Sequence, residues 1–227
     1  MTELWTTLVP LAIATAVLPV QIAITILMLR SAGGRIRAGA WIAGMTAVRL
    51  VQYALFGLIL ERAMDEAETG TSPVEGALLL VVDVLLFVSA ARKLANQPDE
   101  DAMPPRWMTM VDGITVRRAL LMGAGVVVLS PKLWAFTLGA IGAVQDAGLD
   151  PAAGWAVFIV WVVAAEALHL LALLAAVIAP GRADVLLARV GGVLERRSRE
   201  VMIGVGLVFG TWFLLKAMSA FGFSLGV

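Results

Sequence analysis

Ser130-Pro131-Lys132 stands in the middle of an apolar run that extends from Ala119 to Val144. A lysine at the centre of a bilayer-spanning segment costs roughly 2.5–3.5 kcal/mol on insertion scales. The proline beside it removes a backbone donor and clashes with the carbonyl four residues earlier, that of Val127. A run that keeps both needs a reason. The first apolar run of the chain has a counterpart, Leu18-Pro19-Val20-Gln21. Setting Pro19 on Pro131, an offset of 112 residues, also aligns Ala23 with Ala135 and Thr25 with Thr137. Interrupted helices at equivalent places in two halves of a membrane protein are a sequence-level pointer to a transporter's binding site. The plainer alternative is that prolines are frequent in membrane helices, whose neighbours restore the lost hydrogen bond.

Composition sets the class. The 227 residues are 60 % hydrophobic and 15 % charged, with a mean hydropathy of +0.92, against about 25 % charged in soluble domains. The chain is therefore expected to be an all-α polytopic membrane protein. Its 17 basic and 17 acidic residues cancel, which gives no sign of nucleic-acid binding. Cysteine is absent, which excludes thiol redox chemistry and thiolate metal sites, and a single histidine excludes a multi-histidine metal centre. No cofactor is expected.

Six segments reach the 20 or so residues needed to cross the hydrocarbon layer: Leu4 to Leu29, Ala38 to Leu60, Val74 to Leu94, Ala119 to Val144, Ala152 to Ile178 and Val201 to Phe221. The first, apolar to Leu29 and with no Lys or Arg in Met1 to Thr7, is longer than a signal-peptide core and is expected to be a span. Basic residues fall on one side. Loop one holds Arg30, Arg35 and Arg37; loop three Arg92, Lys93, Arg106, Arg117 and Arg118; loop five Arg182, Arg189, Arg196, Arg197 and Arg199, whereas the opposite side has only Arg62. By the positive-inside rule these loops are cytoplasmic and both termini lie outside an inner membrane. Three spans on either side of a linker enter the membrane with opposite orientation. The expected architecture is thus two inverted three-helix repeats with broken first and fourth helices: residues 1–94, a cytoplasmic linker at 95–118, and residues 119–227.

Polar side chains inside the spans mark the candidate path. Arg49 and Gln52 in the second span, and Glu166 and His169 in the fifth, are pairs spaced i, i+3 and so share a helical face. Under the inverted-repeat reading, Arg49 and Glu166 neutralise one another while His169 and Gln52 supply hydrogen bonds, and His169 with Glu166 forms a proton relay. A purely structural buried ion pair is the alternative. Asp83, in the third span, has Lys132 and Arg49 as candidate partners. Trp41 and Trp155 read as interfacial anchors, and Gly139 and Gly142 as a close-packing site.

The proline in the first span, the basic first loop Leu29-Arg30-Ser31 and the small-residue start of the second span, Gly39-Ala40-Trp41-Ile42-Ala43-Gly44, resemble the lysine exporter (LysE) superfamily. Ser130-Pro131-Lys132 is similar to that superfamily's Asn-Pro-Lys. Within it the chain resembles the Sap/GAP branch, the sulfolipid- and glycopeptidolipid-addressing proteins of actinobacteria. The resemblance implies a six-span carrier that moves envelope glycolipids outward, with Pro19, Pro131 and Lys132 at the central site. Leu18 and Ser130 depart from the polar residue and the asparagine found there in the superfamily.

The expectation is a non-enzymatic exporter of a cell-envelope lipid or other anionic substrate. Its path runs past Pro19, Gln21, Arg49, Gln52, Asp83, Ser130, Pro131 and Lys132, and Glu166 and His169 relay protons. No Walker-type phosphate loop is present, so energy comes from an ion gradient or a partner. Two rival readings stay open: an amino-acid or small-ion exporter, and an accessory subunit of an envelope-lipid export machine. Its partners are membrane lipids, with other export proteins or a second copy of the chain also open.

Overall fold

In a computed structural model the described residues are 2–66 and 113–181, with isolated positions between 189 and 211. They are helical, with no strand among them. The helices are α1 (Thr2–Ala16), α2 (Pro19–Arg30), α3 (Gly34–Glu66), α4 (Val116–Leu129), α5 (Pro131–Asp146), α6 (Pro151–Ala165) and α7 (Ala167–Ile178). The third span, its Asp83, most of the linker and most of the sixth span lie outside the described residues.

Both proline breaks form as the sequence predicts. Leu18 and Ser130, each preceding a proline, take extended backbone (φ −65°, ψ 112° and φ −97°, ψ 109°), because a following proline ring disfavours the helical region. The prolines then serve as the first residues of α2 and α5, where the missing N–H leaves no bond unmade. The axis bends by 52° between α1 and α2 and by 76° between α4 and α5. Trp134 repairs part of the second break. Its Nε1 donates to the Val128 carbonyl at 2.8 Å, the group that the Lys132 N–H would reach in an unbroken helix.

A third break is absent from the sequence reading. The run Ala152 to Ile178, expected as one span, is bent by 63° where α6 gives way to α7 at Glu166 (φ −102°, ψ 7°). No proline lies there. Instead the Glu166 carboxylate is drawn sideways onto α3. No single helix among the described residues is long and apolar enough to cross a membrane, whereas the three bent pairs are, by length and composition.

Helix α3 is the spine. It packs most extensively on α4 and also meets α5, α2 and α7, while α1 lies on α5 and α6. The α3–α4 crossing brings backbone to backbone: a Cβ on Gly44 would fall on the Leu120 carbonyl oxygen, and one on Gly123 on that of Trp41. Small residues are what permit such an approach between membrane helices. Of the expected close-packing pair, Gly142 has open space beside it, whereas Gly139 is buried. Trp41 is buried at this crossing and is no interfacial anchor; Trp155 is exposed. The buried core centres on Leu8, Leu11, Met28, Met45, Leu133, Phe136 and Phe158, and Val9, Ile13, Val51, Leu55, Ile159, Val163, Leu171 and Ile178 face outward. So much exposed aliphatic surface suits hydrocarbon better than water.

Candidate functional site

The Glu166 break, α2 and α3 meet at a buried polar centre. Arg49 Nη1 donates to Glu166 Oε1 in an ion pair, with Arg49 1 % and Glu166 2 % exposed. The other carboxylate oxygen accepts from Thr46 Oγ1 at 2.6 Å. Thr46 and Arg49, three residues apart on α3, therefore hold both oxygens of one carboxylate. That grip fixes Glu166 at the point where α6 and α7 separate.

One turn along α7, His169 is buried with Nδ1 2.9 Å from Thr25 Oγ1. The Thr25 hydroxyl also reaches the Gln21 carbonyl, at 3.0 Å. A hydroxyl has one proton. With that proton on the Gln21 carbonyl, His169 Nδ1–H donates to Thr25 and Nε2 is left as the second ring nitrogen. The centre thus joins α2, α3 and α7 through Thr25, Thr46, Arg49, Glu166 and His169.

Of the residues singled out in the sequence, Arg49, Glu166 and His169 come together here. Gln21 enters through its backbone carbonyl. Gln52 is buried on the same face of α3, one turn from Arg49, yet neither atom of its amide has a partner among the described residues, so it supplies no hydrogen bond to His169. Lys132, 7 % exposed, is in the first turn of α5, and Pro19, Ser130 and Pro131 form the breaks that begin α2 and α5. Asp83, the other candidate partner of Arg49, lies outside the described residues. Sequence reasoning missed Thr46 and used Thr25 only to align the repeats. Their signal was spacing, Thr46 standing three residues before Arg49 and Thr25 four after Gln21.

Several buried polar atoms on α2, α3 and α5 have no partner among the described residues: both Gln52 amide atoms, Gln21 Oε1, Arg49 Nε and Thr137 Oγ1. Each such atom costs about 1–3 kcal/mol unless water or a ligand meets it. The helices carrying them therefore hold a site with polar groups to spare, and no group of acidic or histidine side chains among the described residues is suited to a metal ion.

Two cavities lie beyond the centre, one towards each end of α3. One, of about 320 Å³, is lined by Tyr53, Gly57, Gln145, Asp150 and Trp155 among others. Tyr53, part of its wall, stacks on Phe158 (4.3 Å between ring centres), and Phe158 stacks on Trp161 (5.4 Å). The other cavity, of about 440 Å³, surrounds the turn from α2 to α3 and the end of α7.

The family described as SfLAP: Sap, sulfolipid-1-addressing protein, matches residues 8–219. The match spans nearly the whole chain, which belongs to that family and is a membrane protein. No curated protein and no solved structure matches it.

Proposed function

We propose that this Sap-family member is a multi-pass inner-membrane carrier that moves an anionic lipid of the cell envelope outward, with the Arg49–Glu166 pair at its centre. The observation that carries this reading is the pair itself, both partners almost wholly buried. A scaffold gains little from such a pair, since aliphatic residues of the same volume often pack as stably. Ionisable groups within a membrane, by contrast, commonly mark a pathway. The family's description, sulfolipid-1-addressing, supports a sulfated or otherwise anionic lipid as cargo.

The mechanism follows from charge. An arginine guanidinium offers a two-pronged fork to a sulfate, phosphate or carboxylate. An anion that takes Arg49 displaces Glu166, and a buried carboxylate left alone costs several kcal/mol. A proton is the compensating charge, and His169, one turn away, is placed to deliver it. Proton entry is thereby tied to anion exit. Along α3, Arg49 is about 22 Å from Gly34 at a rise of 1.5 Å per residue, so the pair sits between the two cavities as a closed barrier.

The positive-inside distribution supports an orientation with both termini outside, the larger cavity facing the cytoplasm and the smaller one facing out. Two inverted repeats, 1–94 and 119–227, are supported by the breaks at Leu18 and Ser130, which fall at the same 112-residue offset as the sequence alignment.

Proteoliposomes that carry a fluorescent phosphatidylglycerol and an imposed pH gradient provide the test. Wild-type protein should move the label between leaflets faster than protein-free vesicles, and faster with the gradient than without it. Arg49→Met/Glu166→Leu, which removes both charges, should abolish movement while the protein remains folded. His169→Gln should move lipid without responding to the gradient. A double variant as fast as wild type would sink the reading, and gradient-driven movement of a free amino acid with none of lipid would favour the small-solute exporter instead.

A further inference from the structure

The turn between α2 and α3 is built more tightly than a connecting loop requires. Ser31 Oγ donates to the Met28 carbonyl at 2.7 Å, the Gly34 N–H donates to the Ser31 carbonyl at 2.9 Å, and an Arg37 Nη2–H reaches the Ala32 carbonyl. Gly33 takes φ 70°. A Cβ on Gly34 would collide with the Met28 carbonyl oxygen, so only glycine lets α3 start this close to the end of α2. Arg30, the last residue of α2, and Arg35, in the first turn of α3, are thereby held on the wall of one cavity of about 440 Å³, closed on its far side by Ala176 and Pro180 at the end of α7. Among the described residues no acidic side chain lines it, and neither arginine makes an ion pair. The volume falls in the range of small-molecule sites.

The surroundings are as informative as the cavity. Ile36 beside it is 69 % exposed, and Val177 and Ile178, flanking the α7 wall, are 52 % and 72 % exposed. Two arginines lining a concave site, edged by bare aliphatic side chains, match an amphiphile with an anionic head and acyl chains. A free phosphate would need no such edge. We propose that this cavity is a docking site for the anionic headgroup of a membrane lipid, separate from the Arg49–Glu166 centre. The guanidinium forks meet the phosphate or sulfate oxygens, and the chains lie along Ile36 and Ile178. This inference rests on the lipid reading of the function and adds where the headgroup first docks. Its test measures binding alone, so its failure is distinguishable from a failure of transport.

Purified full-length protein in a neutral detergent is titrated with dioctanoyl-phosphatidylglycerol, dioctanoyl-phosphatidylcholine or glycerol phosphate, with binding read by native mass spectrometry. The anionic lipid should bind about tenfold more tightly than the zwitterionic one, and glycerol phosphate about tenfold more weakly than the anionic lipid. Arg30→Gln/Arg35→Gln should abolish the preference for phosphatidylglycerol. Arg117→Gln/Arg118→Gln, which removes two exposed cations outside the cavity, should keep it within about twofold. Equal binding of the two lipids by wild-type protein overturns the proposal whatever the variants do. So does an equal loss in both arginine pairs, or binding of glycerol phosphate as tight as that of the lipid.

Discussion

Arg49 and Glu166 stabilise one another only as a pair, and that gives the sharpest residue-scale expectation. Removing either alone leaves a buried charge unpaired, at about 3–5 kcal/mol. Arg49→Met/Glu166→Leu should therefore lose much less stability than the sum of the single variants, measured as a double-mutant cycle on thermal unfolding in detergent; strict additivity would mean that the pair does not form. Thr46→Val strips one carboxylate oxygen of its donor and should cost about 1–3 kcal/mol by the same measurement. That ionisable side chains lay within apolar runs was legible from Arg49, Glu166 and His169 in the sequence. The Arg49–Glu166 pairing was expected there beside Asp83 as a rival partner for Arg49, but the hydroxyl partners were not legible, because 120 residues separate Thr46 from Glu166 and 144 separate Thr25 from His169. Spacing reports only neighbours along one helix.

At the scale of elements, proline proves neither sufficient nor necessary for a break. Pro10 lies inside α1, which continues through it, whereas Pro19 and Pro131 each end a helix, and the α6–α7 break at Glu166 has no proline at all. What the two proline breaks share is an extended preceding residue at matching offsets. What the third has is a carboxylate held from across the bundle. Trp134→Phe should leave the Val128 carbonyl without its indole donor and lower stability by about 1–3 kcal/mol. At the α3–α4 crossing, Gly44→Val or Gly123→Val should cost about 1–3 kcal/mol or prevent folding, because the new side chain meets main chain that cannot yield. Gly125→Ala, with nothing near its Cβ position, should be neutral or stabilising by up to about 1 kcal/mol. Equal loss at Gly44 and Gly125 would contradict the crossing.

For the whole molecule, orientation is the property most open to direct measurement. The chain has no cysteine, so a single introduced thiol reports without background. Ala152→Cys, exposed at the start of α6, should react with an impermeant thiol reagent on intact cells, and Ala32→Cys, exposed in the turn before α3, should react only after the membrane is opened. The reverse pattern would invert the orientation and put the arginine-lined cavity outside. The two cavities towards opposite ends of α3 give this experiment its functional weight, since orientation decides which of them meets the cytoplasm.

Sequence by itself determined the helical membrane class, the positions of the first, second, fourth and fifth apolar segments and the two proline breaks. Each of these rests on local physics: the length of apolar chain needed to cross hydrocarbon, and the restriction a proline ring places on the residue before it. Only the tertiary structure decided that Arg49 pairs with Glu166, that Thr46 and Thr25 complete the centre, that the fifth segment breaks without a proline, and that Gly44 and Gly123, not Gly142, mark the close crossing. Those outcomes depend on which helix faces arrive opposite one another, and no local pattern along a single helix encodes that approach.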